Sequence, residues 1–219
     1  MTTTDTRERL VVTAGEIFSE KGFDETTVRE ICTAAGANVA AVNYYFGDKQ
    51  QLYLETVRRA HQRRAGQVPL PGAESSTGHP ADRLAELIET LLTRMLGTSA
   101  APWETRLMMR EVLQPTAACR EMVEDYFRPL FDRFLEVLDE VLPDDTPRHR
   151  RHQVAFSIVG QCLLYRTSGE VVALLVGDDE RAAHYSVAQL ADHISQFTLS
   201  ALGLAGSPIA EQPMGSEPA

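Results

Sequence analysis

The sequence predicts an all-α fold in which a small N-terminal domain of three helices is followed by a larger helical domain. Three observations predict it. Apolar residues recur at spacings of three and four along most of the chain, and almost no segment alternates with period two. Several of these stretches open on a side chain able to cap a helix. At 219 residues and 43% hydrophobic content, the chain is long enough to bury a sizeable core.

Taken in order, a first helix is expected over 6–21. Leu10, Val11, Ala14, Ile17 and Phe18 form its stripe, and Gly22 supplies the left-handed stop. The second begins at Thr27, whose TVRE sequence reads as a capping box with Glu30, and ends at Gly36. Asn38 caps a short third helix. Asp48 with Gln51 makes another box and opens a fourth, with Leu52, Leu54 and Val57 on its apolar side. Residues 66–80, rich in Gly, Pro and Ser, read as a loop. Helical patterns follow at 81–97, 104–113, 117–142, 148–176 and 180–203. The domain reading is 1–50, 51–205 and a disordered tail over 206–219.

A net charge of −10 by itself argues against a nucleic-acid partner, but its uneven distribution along the chain removes that objection. Residues 1–64 hold nine Lys/Arg and nine Asp/Glu, and the remaining 12 basic and 22 acidic residues carry the whole −10. The three cysteines, Cys32, Cys119 and Cys162, are widely separated in apolar surroundings and read as reduced hydrophobes. No stretch has the length and apolarity of a membrane span or a secretory signal, so the expectation is a cytoplasmic protein with no membrane partner.

The stretch NVAAVNYYFGDK, residues 38–49, places three aromatics in a row. Successive helical side chains lie about 100° apart, so they cannot all face one core. On a helical wheel Val42 and Phe46 point inward, while Ala40, Ala41 and Tyr44 point away. Asn43 and Tyr45 fall at the two edges. A solvent face of alanines and tyrosine suits close approach to a major groove, where alanine methyls pack on thymine and an amide such as Asn43 pairs with adenine. Tyr45 and Lys49 then reach backbone phosphates, and the N-terminal end of the second helix at Thr27 reaches another.

Residues 6–55, with FSEKGFDETTVREICTAAGANVAAVNYYFGDKQQLYLE, resemble the N-terminal domain of the TetR (tetracycline-repressor) family of bacterial regulators. The resemblance implies a homodimer whose short third helix reads operator DNA. By position it carries DNA contact to Thr27, Val39, Ala40, Ala41, Asn43, Tyr44, Tyr45 and Lys49. Val39 and Ala40 stand where other members often place polar base-readers. WETRLMMREVLQPTAAC and FSIVGQCLLYR are similar to the CecR-like subgroup, whose regulators are associated with membrane transport and drug sensitivity.

The resemblance implies that the C-terminal domain binds a small molecule and dimerises. VAFSIVGQCLLY, residues 154–165, is apolar nearly all round, so it is either central or shared. With Leu190, Ile194, Phe197, Leu199 and Leu202 of the final helix it would form half of an isologous four-helix interface. The ligand candidates are Trp103, Arg106, Met108, Met109, Tyr126, Phe127, Phe131, Cys162 and Tyr165: aromatic, thioether and thiol groups to surround an apolar or amphipathic effector, and an arginine to orient it. His149 and His152 lie three apart, but neighbouring arginines oppose a cation there. No nucleophilic triad, phosphate loop or cofactor motif stands out. The reading is a ligand-responsive repressor that binds a palindromic operator as a homodimer, with no enzymatic activity and no cofactor. The alternative is a helical adaptor for protein partners that does not bind DNA, whose mark would be a disrupted recognition helix.

Overall fold

A computed structural model describes residues 3–72, 78–97 and 100–203, which fold only into helices and their connections. These are α1 (Thr3–Lys21), α2 (Val28–Ala34), α3 (Val39–Phe46), α4 (Lys49–Gln67), α5 (Pro80–Leu96), α6 (Pro102–Leu113) and α7 (Ala118–Met122). A π-helical turn, Val123–Phe127, leads into α8 (Arg128–Val141), followed by α9 (Arg148–Thr167), α10 (Gly169–Val176), α11 (Asp178–His184) and α12 (Val187–Ala201). The tail expected over 206–219 lies outside the described residues, as do 73–77 of the loop expected over 66–80.

Three of the expected helices are divided. The run 148–176 breaks at Ser168, which ends α9 at φ −123° and ψ 22° and directly precedes Gly169, the first residue of α10. The run 180–203 breaks before Ser186, whose hydroxyl accepts from the Gln189 N–H at 3.3 Å while the Gln189 side chain accepts from the Ser186 N–H at 3.1 Å. That reciprocal cap starts a new helix more favourably than the old one continues. The run 117–142 is interrupted by the π-helical turn.

The chain forms two compact units, Met1–Leu70 with Gly97–Asp132, and Pro71–Leu96 with Arg133–Ala219. In the first, α1 lays Leu10, Ala14 and Phe18 against Ile31 and Cys32 of α2, Val42 of α3, and Leu52, Tyr53 and Val57 of α4. Phe18 and Phe23 each meet Tyr53 edge-to-face, with ring centroids 4.8 and 5.1 Å from its own, an arrangement that aromatic quadrupoles favour. α6 joins this core through Trp103, Leu107 and Met108. It also caps α1, since the Arg110 guanidinium donates to the Lys21 carbonyl at 3.0 Å, one of the carbonyls a helix end leaves unpaired. In the second unit α12 packs along α5, and Leu84, Ile88 and Leu92 share their core with Ile158, Cys162, Leu190 and Ile194.

Two carboxylates are buried on α6. Glu111 is satisfied: it accepts from the Tyr53 hydroxyl, from the Thr116 N–H at 3.1 Å and from the Thr116 hydroxyl at 2.9 Å. Glu104 is fully buried, neither of its oxygens has a hydrogen-bond partner, and Arg63 Nε stands 3.4 Å away. Burial pushes its carboxyl above the usual range, with Arg63, Arg59 and Arg64 pulling the other way. A folded pKa raised in this way favours the protonated fold, so stability present below about pH 4 is lost as the pH rises through the folded pKa. Glu104→Met is therefore expected to stabilise the protein at pH 7 by about 1 kcal/mol. The gain should vanish near pH 4, as urea titrations at the two pH values would show.

Candidate nucleic-acid interface

Short local bonds fix the geometry of α2, its turn and α3. Thr27 caps α2, accepting the Glu30 N–H at 3.2 Å. The expected box is only half made, because the Glu30 carboxylate pairs with Lys21 instead. That pairing holds the Glu30 carboxyl below its ordinary range and raises the Lys21 ammonium. Asp48 likewise caps α4 through the Gln51 N–H at 2.8 Å, and no reciprocal bond from the Gln51 side chain forms. Gly36, at φ +60°, turns the chain between α2 and α3. Asn38 then accepts the Ala40 N–H at 3.0 Å and starts α3. Gly47 closes it at φ +86° and ψ −57°, a conformation open to glycine and strained for other residues.

α3 packs on α1, α2 and α4 through Val42, which is fully buried. The buried side is turned from the one the wheel gives. Ala41, expected to face outward, is half-buried against the core of the first unit, and Tyr45 joins it there, whereas Val39 is 43% exposed. A wheel gives relative angles only. The contacts with α1, α2 and α4 set their origin, midway between Val42 and Tyr45. Phe46 is half-buried with the Arg7 guanidinium 5.3 Å over its ring.

The side left outside consists of Val39, Ala40, Asn43 and Tyr44, with Tyr44 80% exposed and its ring edge-on to that of Tyr45 at 4.9 Å. None of the four carries a charge. Lys49, at the start of α4, donates to the Asp24 carbonyl at 3.4 Å, and its ammonium lies 4.4 Å from the Phe23 ring centroid. Thr27, Asn43, Tyr44, Tyr45 and Lys49 are thus all carried on the α2–α3–α4 segment of one compact unit, supported by Val42.

The ligand candidates are not gathered in one unit. Trp103, Arg106, Met108, Met109, Tyr126, Phe127 and Phe131 belong to the first, and Cys162 and Tyr165 to the second. Trp103, Met108 and Tyr126 are core residues, with Phe127 half-buried against them. Met109 and Phe131 are half-buried. Arg106 is exposed, 3.9 Å from Glu20. Burial pushes the Cys162 thiol up to about 12, and the Tyr165 ring lies 6.3 Å from that of Tyr185. Sequence reasoning misses the interior polar groups. Glu104 and Glu111 share the 3-4-7 spacing with Leu107 and Met108, and His61 and Arg64 continue the Tyr53, Val57 and Ala60 stripe of α4. Spacing alone holds that signal; the charge on the side chains hides it.

Residues 10–56 match the profile of the bacterial regulatory proteins of the tetR family, and residues 80–202 match the C-terminal domain of the HTH-type transcriptional dual regulator CecR. The chain is 28% identical over 180 residues to that dual regulator from Shigella flexneri, spanning 78% of this chain and 80% of the relative. It is 26% identical over 207 residues to the HTH-type transcriptional regulator BetI of Brucella melitensis, covering 94% of each. Its fold is similar to that of HlyIIR, a hemolysin II transcriptional regulator, with a TM-score of 0.60 at 21% identity over 89% of this chain and 99% of the other. It is similar also to AibR, solved with isovaleryl coenzyme A and operator DNA, with a TM-score of 0.61 at 16% identity over 88% and 97%. The capped α2–turn–α3 unit and the match of more than half the chain to the CecR-type domain lead to one assignment: this chain belongs to the TetR family of helix-turn-helix DNA-binding transcription regulators, with a C-terminal domain of the CecR type.

Proposed function

We propose that the chain acts in the cytoplasm as a homodimeric repressor. Two copies of α3 enter successive major grooves of a palindromic operator, and a small apolar or amphipathic effector releases them. The observation that supports this reading most directly is the uncharged outer side of α3, where Tyr44 stands 80% exposed on a helix held from behind by Val42. In the groove, Ala40 and Val39 offer methyl contacts to thymine, Asn43 an amide for adenine, and Tyr44 a hydroxyl. Ala41, half-buried, makes its contact from the rim. Tyr45, Lys49 and the free N–H groups at the start of α2 beside Thr27 serve the phosphates.

Homodimerisation rests on α9 and α12, which leave Phe156, Leu164 and Phe197 exposed. The third helices must stand about 34 to 36 Å apart to address one side of a duplex. An effector held in the first unit by candidates among Trp103, Arg106, Met108, Met109, Phe127 and Phe131 releases DNA only if it binds better to the arrangement with the wrong spacing, because equal affinity shifts nothing. α4 is the lever, running from Lys49 beside α3 to Gln67 and packing on α6.

The test is a gel shift with the intergenic DNA beside the protein's own gene. A shift in low salt that is lost on adding the effector supports the reading, and failure to bind any sequence in low salt sinks it. Lys49→Ala is expected to weaken binding to all sequences and to reduce the salt slope by about one. Asn43→Ala should instead relax preference at a single base position, at a cost of about 1 to 3 kcal/mol. An unchanged affinity and slope in Lys49→Ala would remove the phosphate contact.

A further inference from the structure

α9 buries Ala155, Ile158 and Cys162 and turns Phe156, Gly160 and Leu164 outward at a spacing of four. Gly160 is unexplained by its own chain: a Cβ built there meets nothing within 4 Å, although glycine inside a helix is destabilising. Its missing side chain leaves room for close approach from outside. The outward stripe does not stop at the end of α9. Ser168 N–H donates to the Leu164 carbonyl and Val172 N–H to the Ser168 carbonyl, both at 2.9 Å, so the break leaves the two helices bonded in succession. α10 then adds Val171, Leu174 and Leu175, the last two 86% and 79% exposed, and α10 buries nothing of its own.

Charge supplies the direction. Among the described residues, Arg148 and Arg150 at the start of α9 have no ion-pair partner, and neither do Glu170, Asp178, Asp179 and Glu180 on α10 and α11. Cations in a first helical turn oppose their own helix dipole, so Arg148 and Arg150 are not there to stabilise α9. Two copies of α9 placed parallel set like charges together, whereas antiparallel copies bring the acidic end of one to the basic end of the other. Antiparallel pairing about Gly160 also sets Phe156 level with Leu164 of the second copy, four residues on either side of the axis.

We infer that α9 pairs antiparallel with the α9 of a second copy about a twofold axis at Gly160, and that α10 is an arm laying Val171, Leu174 and Leu175 over the basic start of that copy's α9. This rests on the homodimer reading above and adds its register and its arm. The contact is isologous, so each copy gives and receives one arm.

Sedimentation equilibrium of the full chain tests it, with circular dichroism to verify that each variant keeps its helicity. Phe156→Glu is expected to yield monomers. Leu174→Glu with Leu175→Glu is expected to raise the dimer Kd at least tenfold. Under mild oxidation Gly160→Cys should cross-link to itself. Phe156→Cys and Leu164→Cys should each stay single alone, and cross-link when the two chains are mixed. If the leucine pair dimerises like wild type while Phe156→Glu dissociates, the arm falls, another partner covers α10, and the homodimer stands. If the dimer persists but Gly160→Cys never cross-links, the register is wrong. A monomeric wild type at high concentration overturns the homodimer and the arm together.

Discussion

Replacing Trp103 by alanine should destabilise the first compact unit by about 3 to 5 kcal/mol, the range for truncating a buried aromatic, and lower the melting temperature by on the order of 10 °C. The indole is 4% exposed, and its ring lies where a Cβ on Gly15 of α1 would stand, 2.3 Å from Trp103 Cζ3. α1 and α6 therefore come as close as they do because one contributes no side chain and the other contributes the largest. This makes the two positions interdependent. Gly15→Ala should be strongly destabilising in the wild type and much less so beside Trp103→Ala, since the cavity accepts the added methyl. Thermal melts of the four proteins measure the coupling; additive shifts would show that the ring is not held by this contact. The same variants assayed for DNA binding at low temperature separate a core role for Trp103 from a role at an effector.

Glu111→Ala is expected to cost about 3 kcal/mol, because it strands the buried Tyr53 hydroxyl and two donors from Thr116 at once. Tyr53→Phe should cost less, since Glu111 keeps both Thr116 bonds. Burial, then the hydrogen bond to Glu111, pushes the Tyr53 phenol above its usual value. A raised folded pKa means that this contribution is complete below about pH 10 and is lost above it, where the unfolded tyrosine ionises more readily than the folded one. Urea unfolding at pH 7 and pH 10.5 should show an alkaline decline in the wild type that Tyr53→Phe flattens. An equal decline in both proteins would exclude Tyr53 as its source.

Much of the interface is legible in the sequence because its signals are local. Asn38 and Asp48 act on backbone groups within a few residues of themselves, so their side-chain chemistry fixes where α3 and α4 begin wherever the segment sits. Val42 is readable as buried for a related reason, since helical geometry fixes the angles between side chains. Glu30 escapes such a reading because its partner, Lys21, comes from the end of another helix, nine residues earlier. Ala41 escapes it because the direction of the core is a property of α1, α2 and α4 rather than of α3. Glu104 and Glu111 lie at interior spacing, but a carboxylate counts as a surface residue until a hydroxyl or a guanidinium is found to meet it.

The sequence by itself therefore determined the helical class, the capped α2–turn–α3 unit and the family, all of which depend on spacing, caps and residue identity within short stretches. Only the tertiary structure decided which side of α3 faces out, and that α6 joins α1 and α4 in one unit through Trp103 and Glu111. Those outcomes depend on contacts between residues tens of positions apart, and no local pattern records which distant surface a helix will meet.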